Sequence, residues 1–122
     1  MALKRGQIHF ARMPSTKSSV QHGNRPVLVI SNDIGNSRAP TVIVAPITTR
    51  HKADLPTHVR VGNGTFMSYK SRMYSRLWGS VVMFEQITTL DKEVLGELVA
   101  KTDITTDMEM AILVSLGLEG IE

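Results

Sequence analysis

Two stretches of this 122-residue chain combine a permanent positive charge with hydroxyl groups, a combination suited to phosphate chemistry. Arg25 precedes the apolar run 26–30, and Thr48 follows the apolar run 41–45. A guanidinium can bind two phosphate oxygens at once, and a hydroxyl can donate one further hydrogen bond. If the two runs are adjacent strands, the pair suits a phosphorane. The alternative is an arginine that ends one strand and a threonine on a sheet.

RNA is a substrate that such a pair could cleave without a metal. Its neighbouring 2′-hydroxyl is the nucleophile, so the protein needs to supply only positioning, charge stabilisation and proton transfer. The four histidines are scattered along the chain, which argues against a zinc site. The chain has no cysteine, which excludes a thiolate metal site and a thiol nucleophile. His22 stays a candidate substrate-binding residue because it lies in the polar loop 18–24 before Arg25.

The charge is divided unevenly between the two ends of the chain. Residues 1–76 carry 12 Lys and Arg against two Asp, whereas residues 77–122 carry two Lys against nine Asp and Glu, for a net charge of +3. A basic half attracts phosphates. The pattern indicates either a polyanionic partner or an ordinary solvated basic face.

Hydrophobic periodicity predicts the strands that must position these residues. The segments 7–11, 26–30, 41–45, 56–61 and 80–84 are typical of strands, with 26–30 and 41–45 central and 86–89 continuing after a bend. The segment 31–36 is predicted to be a turn.

Two helices are predicted near the C-terminus. The first begins at Asp91, with its apolar face formed by Val94, Leu95, Leu98 and Val99. The second begins with a capping box of Thr106 and Glu109 and ends at Gly117 or Gly120. Its apolar stripe, expected to pack in the core or in a dimer, is formed by Met108, Ala111, Ile112 and Leu116.

These elements predict one domain over residues 1–122, an α+β, mainly β fold in which a curled antiparallel sheet packs against C-terminal helices. No apolar run approaches the roughly 20 residues that span a bilayer. We therefore expect a cytoplasmic protein.

Ordered motifs across nearly the whole chain resemble the MazF/PemK family, also called NdoA or Kid, of toxins that cut mRNA independently of the ribosome. The motifs are Lys4-Arg5-Gly6, Arg25-Pro26-Val27-Leu28-Val29-Ile30, Asn32-Asp33-Ile34-Gly35-Asn36, Pro40-Thr41-Val42-Ile43-Val44-Ala45, Ile47-Thr48, Leu55-Pro56-Thr57-His58-Val59, Glu85-Gln86-Ile87 and Thr89-Leu90-Asp91-Lys92.

The resemblance implies a CcdB/PemK-like barrel related to the SH3 fold. It also implies a homodimer that binds single-stranded RNA across its interface and leaves a 2′,3′-cyclic phosphate and a 5′-hydroxyl. No cofactor or metal is implied. A second implied partner is a cognate, MazE-like antitoxin whose acidic tail covers the RNA groove.

The same motif matching implies roles for individual residues. Arg25 and Thr48 occupy catalytic positions. A guanidinium with a pKa above about 12 is a poor general base, so Glu85 is the better candidate for that role. The alternative for Glu85 is a carboxylate paired with a nearby arginine. Further substrate-binding candidates are the loop residues Ser19 and Gln21, together with Gln86.

The chain departs from the family pattern at Gln7, Val20 and Thr88, where relatives often carry other polar residues, and in a longer link over 62–79. That link holds four of the six aromatic residues, and we predict that Lys70, Arg72 and Trp78 bind substrate. Aromatic rings stack on unpaired bases while cations follow the backbone. The alternatives are a hairpin whose aromatic residues pack on the barrel, or a contact with the antitoxin.

Two functions of other classes remain as rivals. One is a gyrase poison resembling CcdB, and the other is a non-catalytic SH3-like module that binds RNA or protein. The Arg25 and Thr48 pair argues against the gyrase poison, whereas the non-catalytic module would bind RNA without cutting it.

Overall fold

The computed structural model describes residues 3–13, 23–49, 55–62, 66–68 and 77–118, and these form mainly antiparallel strands. The strands are β1 (Gln7–Met13), β2 (Gly23–Val29), β3 (Thr41–Thr48), β4 (His58–Arg60), β5 (Phe66–Ser68), β6 (Val81–Met83), β7 (Thr88–Asp91) and β8 (Leu95–Thr102). The helices are α1 (Asp33–Arg38) and α2 (Thr106–Ser115), with 3-10 turns at Phe84–Gln86 and Lys92–Val94.

The strands form one curled sheet in the order β4-β6-β3-β2-β1-β8-β5, and β7 pairs with β3 beside this path. In the described residues no ladder joins the end strands β4 and β5, so the sheet is curled but not closed into a barrel. This confirms the predicted α+β, mainly β class and corrects the expectation of closure. None of the helices in these parts of the chain is long and apolar enough to cross a membrane.

Strand β3 is the centre of the sheet, as predicted. One edge pairs with β2, while the other pairs with β7 along residues 41–44 and with β6 at residues 47 and 48. Pro46 falls between these two ladders, where its missing N–H costs no pairing along that edge. The 3-10 turn at 84–86 carries the chain from β6 to β7.

Both faces of the central strands are buried, which explains their continuous apolar runs. One face packs with α2 in a cluster that includes Ile8, Leu28, Ile47, Phe84 and Met108. The other face forms a second cluster of Ala11, Met13, Val27, Val29, Val42, Val44 and Leu90. Two cores therefore hold the β2–β3 ladder from both sides.

The helix predicted from Asp91 is wrong, because residues 95–102 form strand β8 between β1 and β5. The β1–β8 ladder shifts register twice, since Ile8 and His9 face Ala100 and Leu98 while Ala11 faces Leu95. Each bulge inserts an extra residue and changes the phase of inward-facing positions. The apolar residues consequently recur with a spacing that resembles a helical stripe.

The second predicted helix is confirmed as α2, but its cap lies one residue earlier than predicted. The Thr105 hydroxyl accepts a hydrogen bond from Met108 N at 3.2 Å, so Thr106 and Glu109 do not form the expected capping box. Met108 and Ala111 are buried, whereas Leu116 is 60% exposed and does not belong to the core. The helix ends before Gly117, whose φ of +75° suits a glycine.

The predicted turn at 31–36 contains the short helix α1, which begins after the N-cap Asn32. Its polar residues bond back to the chain in what we call the Asn36 hub, defined by Arg5, Ser31, Asp33, Asn36 and Lys92. Asn36 is buried and donates to Ser31 O at 2.8 Å, and Lys92 Nζ donates to Asn36 O. Arg5 N donates to the Asp33 carboxylate at 2.7 Å.

Candidate functional site

The β2–β3 ladder points Arg25 and Thr48 toward the same end of the two central strands. In the β2–β3 ladder Val27 faces Pro46, and continuing this antiparallel register by two residues sets Arg25 opposite Thr48. Directly opposed residues have Cα atoms about 4.5–5.5 Å apart and side chains on the same face. The predicted pair therefore lies at one end of the two central strands.

The rigidity of this end of the sheet suits a site that positions a reacting phosphate. Thr48 is only 1% exposed and is held between β2 and β6, where it faces Val81. Arg25 is half-buried and also pairs with Ala11 of β1. A pocket of about 110 Å³ lies beside Arg25 and is lined by Phe10, Asn24, Arg25, Pro26, Ile47, Thr49 and Leu77.

The structure does not bring Glu85 to this pair. Val81, the β6 residue opposite Thr48, is four positions away in sequence, and the step from Val81 to Met83 alone covers about 7 Å. Glu85 lies beyond it in the 3-10 turn. There its carboxylate accepts from Thr57 Oγ1 at 2.9 Å and meets His58 Nε2 at 2.7 Å. The partner is thus a histidine, not the arginine considered from sequence.

The pairing fixes the orientation of the His58 ring. The His58 side chain is 6% exposed and that of Glu85 31%, so the contact is largely shielded from water. With the proton on Nε2, the ring donates to Glu85, and Nδ1 is a buried acceptor without a partner among the described residues. The contact between Glu85 and His58 therefore connects β4 to the turn after β6.

Gln86 and Trp78 occupy two further positions near β6. Gln86 is half-buried in the same turn as Glu85, with its amide nitrogen 4.0 Å from Met83 Sδ. Trp78 is 51% exposed, and its ring lies against Gly62, where an added Cβ would come within 3.0 Å of ring atoms. Trp78 is therefore packed on one side and open to solvent elsewhere.

The remaining predicted substrate-binding residues lie outside the described residues. These are Ser19, Gln21, His22, Lys70 and Arg72. The described ends of the chain that flank them, Met13, Gly23 and Leu77, lie in or beside the strands that carry the site.

Arg60 was not among the sequence candidates, although the structure places it near the pair. Arg60 faces Val81 in the β4–β6 ladder, and Val81 faces Thr48 in the β3–β6 ladder. Arg60 is exposed, and its Nη1 donates to Gly79 O at 2.9 Å. The segment 56–61 was predicted as a strand, but the sequence contained no signal for the register that joins β4 to β6.

The part of the chain that the structure describes holds no group of three or more His, Asp or Glu residues arranged to bind a metal ion. In the Asn36 hub, the pKa of Asp33 is lowered. The hydrogen bond from Arg5 N lowers the pKa of Asp33 from its ordinary value of 3.8, and Asn36, Lys4 and Arg5 act in the same direction against desolvation.

Comparison with known proteins gives agreement over nearly the whole chain. Residues 4–114 match the family of PemK-like, MazF-like toxins of type II toxin-antitoxin systems. The chain is 40% identical over 121 residues to endoribonuclease EndoA of Bacillus subtilis, covering 97% of each protein. It is 41% identical over 125 residues to endoribonuclease MazF of Staphylococcus saprophyticus, covering 98% of this chain and 95% of the relative.

A solved structure shares the fold. It is an endoribonuclease in complex with its cognate antitoxin from a mycobacterial species, which superposes with a TM-score of 0.71 at 25% identity. The match covers 98% of this chain and 100% of that one.

Proposed function

This chain belongs to the family of PemK-like, MazF-like toxins of type II toxin-antitoxin systems. We propose that it is an endoribonuclease that cuts single-stranded RNA and that Arg25 and Thr48 are its catalytic residues. The observation that carries this proposal is the β2–β3 register, in which Val27 faces Pro46. Continued by two residues, this register would set Arg25 opposite Thr48. We further propose that it acts in the cytoplasm on mRNA and thereby arrests translation and growth.

The proposed reaction is an internal transfer at phosphorus. The 2′-oxygen bonds to the neighbouring phosphorus as the bond from phosphorus to the 5′-oxygen breaks. The 2′-hydroxyl loses its proton to a base and the departing 5′-oxygen gains one, which leaves a 2′,3′-cyclic phosphate and a 5′-hydroxyl. Arg25 binds the non-bridging oxygens and Thr48 donates a hydrogen bond to the same charge as it grows. Neither role requires a metal or a cofactor.

The reaction also requires a group that accepts the proton of the 2′-hydroxyl. Glu85 was predicted for it from the family resemblance, yet its carboxylate is bound to Thr57 and His58 and is separated from Thr48 along β6. We therefore propose that Glu85 mainly joins β4 to the turn after β6. Its role as a base stays a prediction, which the Glu85→Gln variant described below tests.

The experiment that tests the function is cleavage of a long natural RNA by purified protein in excess EDTA, with the ends mapped by primer extension. We expect cuts at one short sequence and products that carry a 5′-hydroxyl. The Arg25→Ala variant should lose these cuts, whereas Arg38→Ala, which removes an exposed arginine on α1, should retain them. Cuts of equal strength from wild type and Arg25→Ala would refute the assignment.

Substrate contacts are proposed for the predicted loop residues Ser19, Gln21 and His22, and for Gln86 near β6. The link residues Lys70, Arg72 and Trp78 are proposed as an additional RNA platform. Alanine substitution of each should raise KM for a short RNA more than it lowers kcat. If a variant lowers only kcat, its residue acts on the reacting phosphate in the transition state.

A protein partner is supported by a groove of about 990 Å³ in the described part of the chain. It is bordered by β3, the start of β7 and α2, with Ile43 and Leu116 exposed within it. Exposed apolar surface of this kind marks a contact site. We propose that a second copy of this chain covers it. Leu116→Glu should then reduce the mass measured by light scattering to that of a monomer, and an unchanged dimer would place the interface elsewhere.

The second proposed partner is a cognate antitoxin, as in the mycobacterial complex. Its acidic tail would compete with RNA for the basic part of the chain. Saturating antitoxin should abolish RNA binding, and a ternary complex would contradict this. The rival function as a gyrase poison predicts inhibition of supercoiling by the purified protein, which the proposed ribonuclease does not.

A further inference from the structure

Arg60 lies in the same cross-strand row as Thr48. Arg60 faces Val81 across one ladder and Val81 faces Thr48 across the next, so the two residues are two strand spacings apart. At about 4.8 Å per spacing their Cα atoms lie on the order of 10 Å apart. Opposed residues share a face, so Arg60 is on the same face of the sheet as Thr48.

The position of Arg60 is fixed by the chain that directly precedes β6. Its Nη1 donates to Gly79 O at 2.9 Å, and Gly79 N in turn donates to Val61 O at 2.9 Å. Trp78 directly precedes Gly79, and its ring lies against Gly62, two residues after Arg60. A cation bonded to Gly79 O and a half-exposed aromatic ring packed on Gly62 therefore both lie at one end of the β4–β6 ladder.

We propose that Arg60 and Trp78 form a subsite for the nucleotide next to the scissile phosphate, with Arg60 binding a neighbouring phosphate and Trp78 stacking on a base. The subsite rests on the proposed ribonuclease function and assigns one strand of RNA a direction across the sheet, from Arg25 and Thr48 toward β4. Stacking on an aromatic face with a cation on the backbone is how proteins hold unpaired RNA.

The charges near Arg60 define what this subsite can accept. Asp107 of α2 lines the same 320 Å³ groove as Arg60, together with His58 and Met110. An anion in this groove would be repelled by Asp107, so the phosphate should approach Arg60 from the side away from Asp107. Asp107→Asn should therefore tighten RNA binding modestly, by about two- to threefold at low salt.

Trp78 gives a direct readout because it is the only tryptophan in the chain. The substrate is an oligoribonucleotide that carries the mapped cleavage sequence, with a 2′-O-methyl group on the attacking nucleotide to prevent cutting. We expect this RNA to quench the tryptophan emission at saturation. An abasic residue at the flanking position should remove most of the quenching and weaken binding about tenfold.

The phosphate contact is tested by replacing flanking phosphates one at a time with neutral methylphosphonates in a cleavable oligonucleotide. One replacement should raise KM about tenfold in the wild type and have no further effect in Arg60→Gln. The variant should keep the wild-type kcat and lower the slope of log K against log salt by about one. Arg38→Gln, which removes the same charge from α1, should leave both quantities unchanged.

The outcomes separate this subsite from the underlying function. If no RNA is cut by the wild type, the proposed ribonuclease function fails. If the wild type cuts RNA but saturating RNA leaves Trp78 emission unchanged, or if Arg60→Gln loses affinity equally with every methylphosphonate, the subsite is refuted.

Discussion

The Asn36 hub and the row that runs from Arg25 through Thr48 to Arg60 are both polar regions of the same sheet, but they are built differently. In the hub the polar groups bond to the chain itself, as when Asn36 bonds to Ser31 and Asp33 to Arg5 N. The row also contains bonds within the chain, such as that from Arg60 Nη1 to Gly79 O, but it carries two guanidinium charges at the end of the central strands. A buried polar cluster stabilises the fold, whereas permanent positive charge at strand ends can also attract an anion.

The hub and the row have different expected roles, although the sequence places residues of both in motifs of one family. The segment Asn32–Asn36 and the pair Arg25 and Thr48 all belong to motifs that resemble one family. We expect substitutions in the hub to lower the free energy of unfolding while the folded fraction keeps its activity. Substitutions in the row should lower the activity and change the free energy of unfolding less. The comparison can therefore be tested in both regions.

The largest effect should come from the Thr48 hydroxyl. Thr48→Val removes the donor while keeping the side-chain shape, and loss of one donor to a transition-state oxyanion lowers kcat by roughly 10²- to 10³-fold. Single-turnover cleavage of a short RNA measures this loss, and urea unfolding should shift by about 1 kcal/mol because a buried hydroxyl is removed. Thr48→Ser, which restores a hydroxyl, should recover most of the rate. Equal rates for Val and Ser would remove Thr48 from the chemistry.

The corresponding break in the hub is Asn36→Ala. The side chain is 2% exposed and its amide bonds to Ser31 and Asp33, so its removal leaves buried groups without partners. We expect a loss of about 2–3 kcal/mol in the free energy of unfolding. The rate per folded molecule should be unchanged at a temperature where the variant stays folded. A large fall in kcat without destabilisation would show that the two regions are coupled.

How far the sequence predicted the fold depended on whether a signal was local. The central strands were predicted because both of their faces are buried, which produces continuous apolar runs. Strand β8 was mistaken for a helix because two bulges opposite β1 change the phase of its apolar residues. The bulges depend on pairing with a strand some 90 residues earlier, and no local pattern reveals that.

The site shows the same limit. Arg25 and Thr48 were expected to lie near each other because Arg25 is near the start of one central strand, Thr48 ends the next, and consecutive strands usually pair. The contact between Glu85 and His58 joins β4 to the turn after β6, across the link 63–76, and the sequence suggested an arginine instead. Arg60 was missed for the same reason, since its proximity to Thr48 depends on two ladders.

Glu85→Gln tests which region Glu85 belongs to. The change keeps an acceptor for Thr57 but removes the charge opposite His58, so we expect a loss of about 1 kcal/mol in the free energy of unfolding. If Glu85 connects elements, kcat should change less than threefold. A fall in kcat of roughly 10²-fold or more would instead establish Glu85 as the proton acceptor and extend the row to the turn after β6.

The smallest expected effect concerns Asp33 at the exposed side of the hub. Because the bonds from Arg5 N and Asn36 lower its pKa in the folded protein, its carboxylate contributes stability above the unfolded-state pKa of about 3.9. This contribution should disappear as the pH falls through the lower folded-state pKa. Urea unfolding of wild type and Asp33→Asn should therefore differ at pH 7 and converge in strong acid. A difference that stays constant with pH would show that the Asp33 contact depends on hydrogen bonding and not on charge.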